Sequence, residues 1–259
     1  MIIRYSVVPL FFIFILSFQS EQVCARVFDF KKQTFAAYLR GTYGFTNLQK
    51  TAFQPGMPTS VSFPDSNGVN QDYSGEFGVA MVSSFSTLRV GVELLSAQGV
   101  TGLSGVNSSG AQLLSLNSVL YAVIPQANLE FFIKRSDSYR IYAGGGAGYA
   151  ISTLQNTYTM TPLGTTTLGV PNYIEEATGW GIMGQALGGI EWSFFDNVGC
   201  SLDLGYRYLI VSNYTSNRNS TTALGQVNSG NLLLNNDGSA RTTNLSGFWA
   251  GIALRVYFN

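Results

Sequence analysis

The sequence predicts an all-β fold: a transmembrane, eight-stranded, antiparallel up-and-down β-barrel with four long extracellular loops and three short periplasmic turns. Three observations predict it. Period-two alternation recurs in eight segments, each long enough to cross a bilayer as a tilted strand, for which about 9–11 residues suffice. Only 11% of the 259 residues are charged, whereas Gly (29), Phe (18) and Tyr (14) are abundant; soluble domains carry roughly 25% charge. The links between the alternating segments are by turns long and short, as in a barrel with its long loops at one end.

Taken in chain order, the first 25 residues read as a secretory signal peptide. Arg4 supplies the positive region, Val7 to Phe18 the apolar run, and Val23-Cys24-Ala25 a small-residue cleavage site, with the cut after Ala25. The run is shorter than the roughly 20 residues of a spanning helix. Residues 26–32 are then a short periplasmic segment and 33–259 the barrel domain. The mature chain keeps one cysteine, Cys200, and has no histidine, so no internal disulfide is expected.

The strands are expected at about 33–46, 73–84, 87–98, 114–133, 139–151, 178–195, 198–213 and 245–258. Short turns join the second strand to the third, the fourth to the fifth, and the sixth to the seventh. Segments 47–72, 99–113, 152–177 and 214–244 are the long loops; their Ser, Thr, Asn and Gly content reads as surface, too polar to fold alone. Pro125 interrupts the fourth strand, and the phase before it is ambiguous, so a bulge is expected there.

One phase of each strand is apolar. It places Tyr43, Phe45, Trp180, Trp192, Phe194, Tyr208 and Phe248 toward strand ends, as membrane-interface girdles require. Cys200 falls on this phase as a small filler. The other phase carries Arg40, Glu76, Arg89, Glu93, Glu130, Arg140, Glu191, Asp203, Arg207 and Arg255, five basic and five acidic groups. A small barrel has room inside only for side chains, and buried charges need partners; an ion-paired lumen follows. A soluble barrel would instead turn the charges outward. Glycine-rich charged faces, the alternating link lengths and an ending inside a strand, at Val256-Tyr257-Phe258-Asn259, oppose that. The glycine run in YRIYAGGGAGYAIS (139–152) lacks the spacing and the following helix of a nucleotide loop. It reads as a stave whose inner glycines leave room for charged side chains.

Residues 178–211, TGWGIMGQALGGIEWSFFDNVGCSLDLGYRYLIV, resemble the sixth and seventh strands of OmpA/OmpX-type and opacity-type outer-membrane proteins. YRIYAGGGAGYA (139–150) is similar to that family's fifth strand, and GIALRVYFN (251–259) to its closing strand. The resemblance covers roughly 33–259 and implies the fold and a bacterial outer-membrane location. It also implies that a terminal aromatic is read by the barrel assembly machinery; here Val256 and Phe258 would form that signal, with Asn259 as a departure. No peptidoglycan-binding domain follows the barrel in this sequence, so that activity is not carried over.

No enzyme is expected. Membrane barrel hydrolases use histidine as base or shuttle, and the acidic residues of the inner phase read as bracing. Neither metal nor cofactor is expected, and zero net charge argues against nucleic acid. Two functions remain: a structural or surface-interaction protein whose four loops meet a host or surface ligand, or a narrow porin-like channel for small solutes. Four Asn-x-Ser/Thr matches, at Asn107, Asn213, Asn219 and Asn244, read as chance in Asn/Ser/Thr-rich loops.

Overall fold

The computed structural model describes residues 35–46, 48, 56–64, 71–195 and 197–258. The expected signal peptide (1–25), the 26–32 segment and Asn259 lie outside them. Eight strands form the barrel: β1 Phe35–Thr46, β2 Asp72–Val82, β3 Ser86–Val106, β4 Gln112–Arg135, β5 Tyr139–Met160, β6 Tyr173–Phe195, β7 Val198–Ser216 and β11 Gly247–Phe258. Each pairs antiparallel with its sequence neighbour, and β1 pairs with β11 from Phe35↔Phe258 to Thr46↔Gly247, which closes the ring. Closure satisfies every strand edge, the condition for a sheet to span lipid. Between β5 and β6 lies α1 (Pro162–Leu168), capped by the Thr161 hydroxyl and ended by Gly169 in the left-handed region. The last link carries a hairpin of β8 (Ser220–Thr222) and β9 (Gly225–Val227), and β10 (Thr243–Asn244) pairs on β7.

Strand alternation decides which face is which. In β11, Phe248, Ala250, Ile252, Leu254, Val256 and Phe258 are exposed while Trp249, Ala253, Arg255 and Tyr257 are buried. The same holds around the ring: Ile182 is 70% and Leu204 60% exposed, whereas Arg89, Glu130 and Arg255 are 0% exposed. A surface of Leu, Ile and Phe around a buried set of arginines and carboxylates is the inverse of a soluble barrel, and it makes lipid the solvent. Tyr43, Phe45, Trp180, Trp192, Tyr208 and Phe248 all lie on this outer face; the side chain of Phe194 lies outside the described set. From Trp180 to Trp192 a tilted strand rises about 30 Å, a hydrocarbon thickness.

Several boundaries differ from the sequence expectation. The segments 99–113 and 152–177 are largely strand: β3 and β4 meet at a tight turn over 107–111, where Asn107 Oδ1 accepts from Ser109 N (3.0 Å) and Ala111 N (2.9 Å). The links 47–71 and 217–246 remain long, and 161–172, which carries α1, joins β5 to β6. Nor are these parts too polar to fold. Leu103, Leu114, Leu116, Leu154, Tyr158 and Met160 from the strands pack with Met57, Phe63 and Leu233 from the links in one buried cluster.

The reason is a reversal of amphipathic sense. Along β4 the inner face passes from Glu130, Asn128 and Gln126 to Leu120, Leu116 and Leu114, while the outer face passes from Phe131 and Leu129 to Asn117 and Ser115. Where the wall rises out of lipid into water, the outside turns polar and the inside apolar. The ambiguous phase of β4 is this crossover. Pro125 is not a bulge: the β4–β5 register is the same at Val123↔Ile151 and Gln126↔Gly148, and Pro125 pairs directly with Val92. The shifts fall elsewhere, at Phe132/Lys134 and along β3 between Ala97 and Leu103.

Candidate functional site

Within the membrane the lumen is filled by charge. Every barrel strand contributes, because inward residues of eight tilted strands converge on one axis. Eight of the ten sequence-assigned groups form one alternating chain. Arg140 Nη2 lies 2.6 Å from Glu191, and Arg255 Nη1 lies 3.0 Å from the same carboxylate. Arg255 and Arg89 both reach Glu130 at 3.0 Å. Arg89 continues to Asp203 at 3.4 Å, Arg40 meets Asp203 at 3.7 Å, and Arg40 ends the chain on Glu76. The remaining two, Arg207 and Glu93, lie 3.0 Å apart in a separate cluster whose third member is Asp72, 2.7 Å from Arg207.

Asp72, expected in the loop 47–72, is the first residue of β2 and 1% exposed. Among the described residues the membrane tier of the inner face thus holds five arginines and six carboxylates, not five of each. Its parity with Glu76 was the available signal. Three amides extend the second cluster: Gln126 donates to Glu93 (3.2 Å), and Gln185 donates to Gln126 (2.7 Å) and Asn128 (2.6 Å).

Aromatic side chains of the inner phase, not singled out from sequence, hold the arginines apart. Arg40 lies 4.5 Å from the Trp249 ring centroid, Arg89 5.4 Å from Tyr38, and Arg255 5.4 Å from Tyr142. These phenols are also donors: Tyr38 to Glu76, Tyr142 to Asp203 and Tyr257 to Glu191. The glycines make this possible. A Cβ at Gly189 would lie 2.7 Å from Asp203 Oδ1 and 2.8 Å from the Tyr142 hydroxyl oxygen, and one at Gly205 would lie 2.5 Å from the Trp249 ring.

Above this tier the apolar cluster fills the lumen, and within its height sits a further ion pair that sequence did not find. Arg241 Nη1 lies 3.1 Å from Glu175 Oε2, both buried. Glu175 keeps the parity of Glu191 along β6, which could have marked it; Arg241 lies in an irregular link with no period to read. Asn156 Nδ2 donates to Glu175 Oε2 at 3.1 Å, and Arg241 Nε donates to Asn235 Oδ1 at 2.9 Å. Burial raises the phenols of Tyr158 and Tyr173 beside this pair above their ordinary value. Cys200 is half-buried on the outer face. Val256 and Phe258 face outward at the end of β11. Among the described residues no group of three His, Cys, Asp or Glu is placed to hold a metal ion.

No protein-family model matches the chain, and no curated protein matches it. Solved structures do. The chain is similar to OprG from Pseudomonas aeruginosa, an outer-membrane protein, at 14% identity and TM-score 0.46, covering 89% of this chain and 99% of that one. It is similar to Neisserial surface protein A at 13% identity and TM-score 0.38, covering 86% and 97%. Ail of Yersinia pestis, the attachment invasion locus protein solved with the heparin analogue sucrose octasulfate, matches at 10% identity and TM-score 0.39, covering 87% and 99%. The fold itself stands on the chain's own strand pairings: a closed, eight-stranded, antiparallel transmembrane barrel with a charged, packed lumen.

Proposed function

We propose that this chain is a bacterial outer-membrane barrel of the structural and surface-interaction class, its lumen a brace and its long-link end the surface that meets partners. One observation carries the reading: the lumen is filled at two levels. The charged tier is buried and cross-linked from strand to strand, and the tier above it is an apolar cluster containing Leu116, Leu120, Leu154 and Leu209, all 2% exposed or less. A solute path would have to displace both. The loops named from sequence, 47–72, 99–113, 152–177 and 214–244, narrow as recognition elements to the two that remain long links and to the strand ends that rise with them.

A narrow channel is the second reading. It draws on Arg89 Nε and Nη2, Arg255 Nε, Thr87 Oγ1 and Ser201 Oγ, buried groups with no hydrogen-bond partner in the charged tier, since buried polar groups of this kind commonly take water. Planar-bilayer recording separates the two. Purified barrel, checked for folding by heat-modifiable gel mobility, is expected to give no discrete conductance steps, and Arg207→Ala and Glu191→Ala to weaken folding without opening a current. Steps whose size changes in those variants would establish the channel instead.

A further inference from the structure

At the long-link end a cavity of about 370 Å³ opens between the β8–β9 hairpin and the segment 231–238, with Glu175 in its lining. We propose that this cavity is a binding site for a neutral polyhydroxylated ligand, a sugar unit of a surface glycan. The proposal rests on the reading of this end as the recognition surface and gives it a ligand class.

The volume falls in the range of small-molecule sites, roughly 300–1,000 Å³, and the lining supplies both halves of a sugar. Glu175 is 4% exposed, and its three hydrogen bonds, from Arg241 Nη1 (3.1 Å), Asn156 Nδ2 (3.1 Å) and the Tyr158 hydroxyl (3.5 Å), all go to Oε2. Oε1 takes none of them, which leaves an acceptor on a side chain of the cavity lining. Asn231, Asn236 and Gln226 add carboxamides that both donate and accept. Leu232 and Leu234, each about half exposed, present apolar surface for the C–H face of a ring.

Charge selects against the other classes. In 56–64, 96–121, 151–178 and 211–246 the charged side chains are Glu175, Glu176, Arg218, Asp237 and Arg241. Arg241 is buried on Glu175, so among the described residues of these segments Arg218 is the one exposed cation, and the cavity lining holds no Lys or Arg to meet a sulfated or phosphorylated ligand. An ammonium ligand would need an uncompensated carboxylate, and Glu175 already has its counter-ion 3.1 Å away. A hydroxyl needs only the acceptor.

The test is saturation-transfer NMR on the folded barrel in detergent micelles, with lactose, maltose and diacetylchitobiose as neutral probes, a heparin disaccharide as anion and ethanolamine as cation. At least one neutral disaccharide is expected to bind, and neither charged probe. Gln226→Trp, on the exposed hairpin, fills the cavity and is expected to abolish the signal. Asn231→Ala is expected to weaken binding about tenfold, the factor of one lost hydrogen bond. A heat-modifiable mobility shift equal to the parent's shows that both variants remain folded. No neutral probe binding, binding indifferent to both variants, or preference for either charged probe overturns the site. A barrel that conducts yet binds the sugar keeps the site and loses the reading beneath it; a silent barrel that binds none does the reverse.

Discussion

Arg255 and Glu130 lie 125 residues apart in sequence and grip each other across the barrel axis, Nη2 to Oε1 at 3.0 Å and Nη1 to Oε2 at 3.2 Å. Their strands, β11 and β4, are four places apart in the ring whichever way it is counted. The pair therefore fixes the diameter of the barrel, where neighbouring-strand pairs such as Arg140 and Glu191 fix only register. Arg255 also holds Glu191, so its loss strips a partner from two buried carboxylates at once.

Arg255→Met is accordingly expected to lower stability by about 3 kcal/mol, the lower end for breaking a buried pair, because Arg89 and Arg140 still reach the two acids. Urea titration of the folded barrel in detergent, followed by tryptophan fluorescence, measures it. Arg255→Met combined with Glu130→Leu is expected to recover part of the loss, since an apolar pair carries no desolvation cost. An Arg255→Met barrel as stable as the parent would show that the pair braces nothing.

Two glycines on neighbouring strands, β5 and β6, separate packing from mere composition. A Cβ at Gly146 would press on the Asn128 carboxamide and lie 2.5 Å from the Ala127 carbonyl oxygen, whereas one at Gly184 meets nothing within 4 Å. Gly146→Ala is therefore expected to cost about 1–3 kcal/mol, the range for overpacking. Gly184→Ala, on the lipid face, is expected to change stability little. Equal unfolding midpoints for the two variants would refute the close-packed lumen.

The apolar cluster makes a third prediction. Leu233 comes from the last long link and is 2% exposed among Leu and Tyr side chains of the wall. Leu233→Ala is expected to cost about 2–5 kcal/mol locally, as core truncations do. The link 217–246 should then be cut by protease faster while the barrel keeps its heat-modifiable mobility. A cleavage rate unchanged from the parent would mean the link is not anchored by this side chain.

Within the membrane the barrel was legible, because lipid outside and ion pairs inside give each strand two chemically distinct phases. Phe248, Ile252 and Leu254 could be separated from Arg255 by parity alone. Asp72, Tyr38 and Trp249 share the inner parity but were not read, since polar and aromatic residues occur on both faces. Above the membrane legibility failed for a physical reason. Leu114, Leu116 and Tyr158 continue the same parity with the opposite polarity, so a search for apolar-out alternation stops where the wall meets water. The Glu175–Arg241 pair joins a strand to an irregular link, and no period relates its two members.

The phenols around that pair predict how the long-link end responds to alkali. Tyr158 and Tyr173 stack at 4.6 Å between centroids, and burial raises both, with Tyr214 beside them raised for the same reason. A phenol raised in the folded protein keeps a proton that the unfolded chain releases near pH 10, so its stabilisation is complete below about pH 10 and declines as pH rises further. Each phenol contributes a loss of up to about 1.4 kcal/mol per pH unit above that point. The apolar tier is expected to open between about pH 10 and 12, seen as faster proteolysis of the long-link end. Tyr158→Phe/Tyr173→Phe should carry the opening to higher pH. Ultraviolet titration showing these phenols ionising near pH 10 in the folded barrel, with no difference between parent and variant, would remove the burial that the prediction rests on.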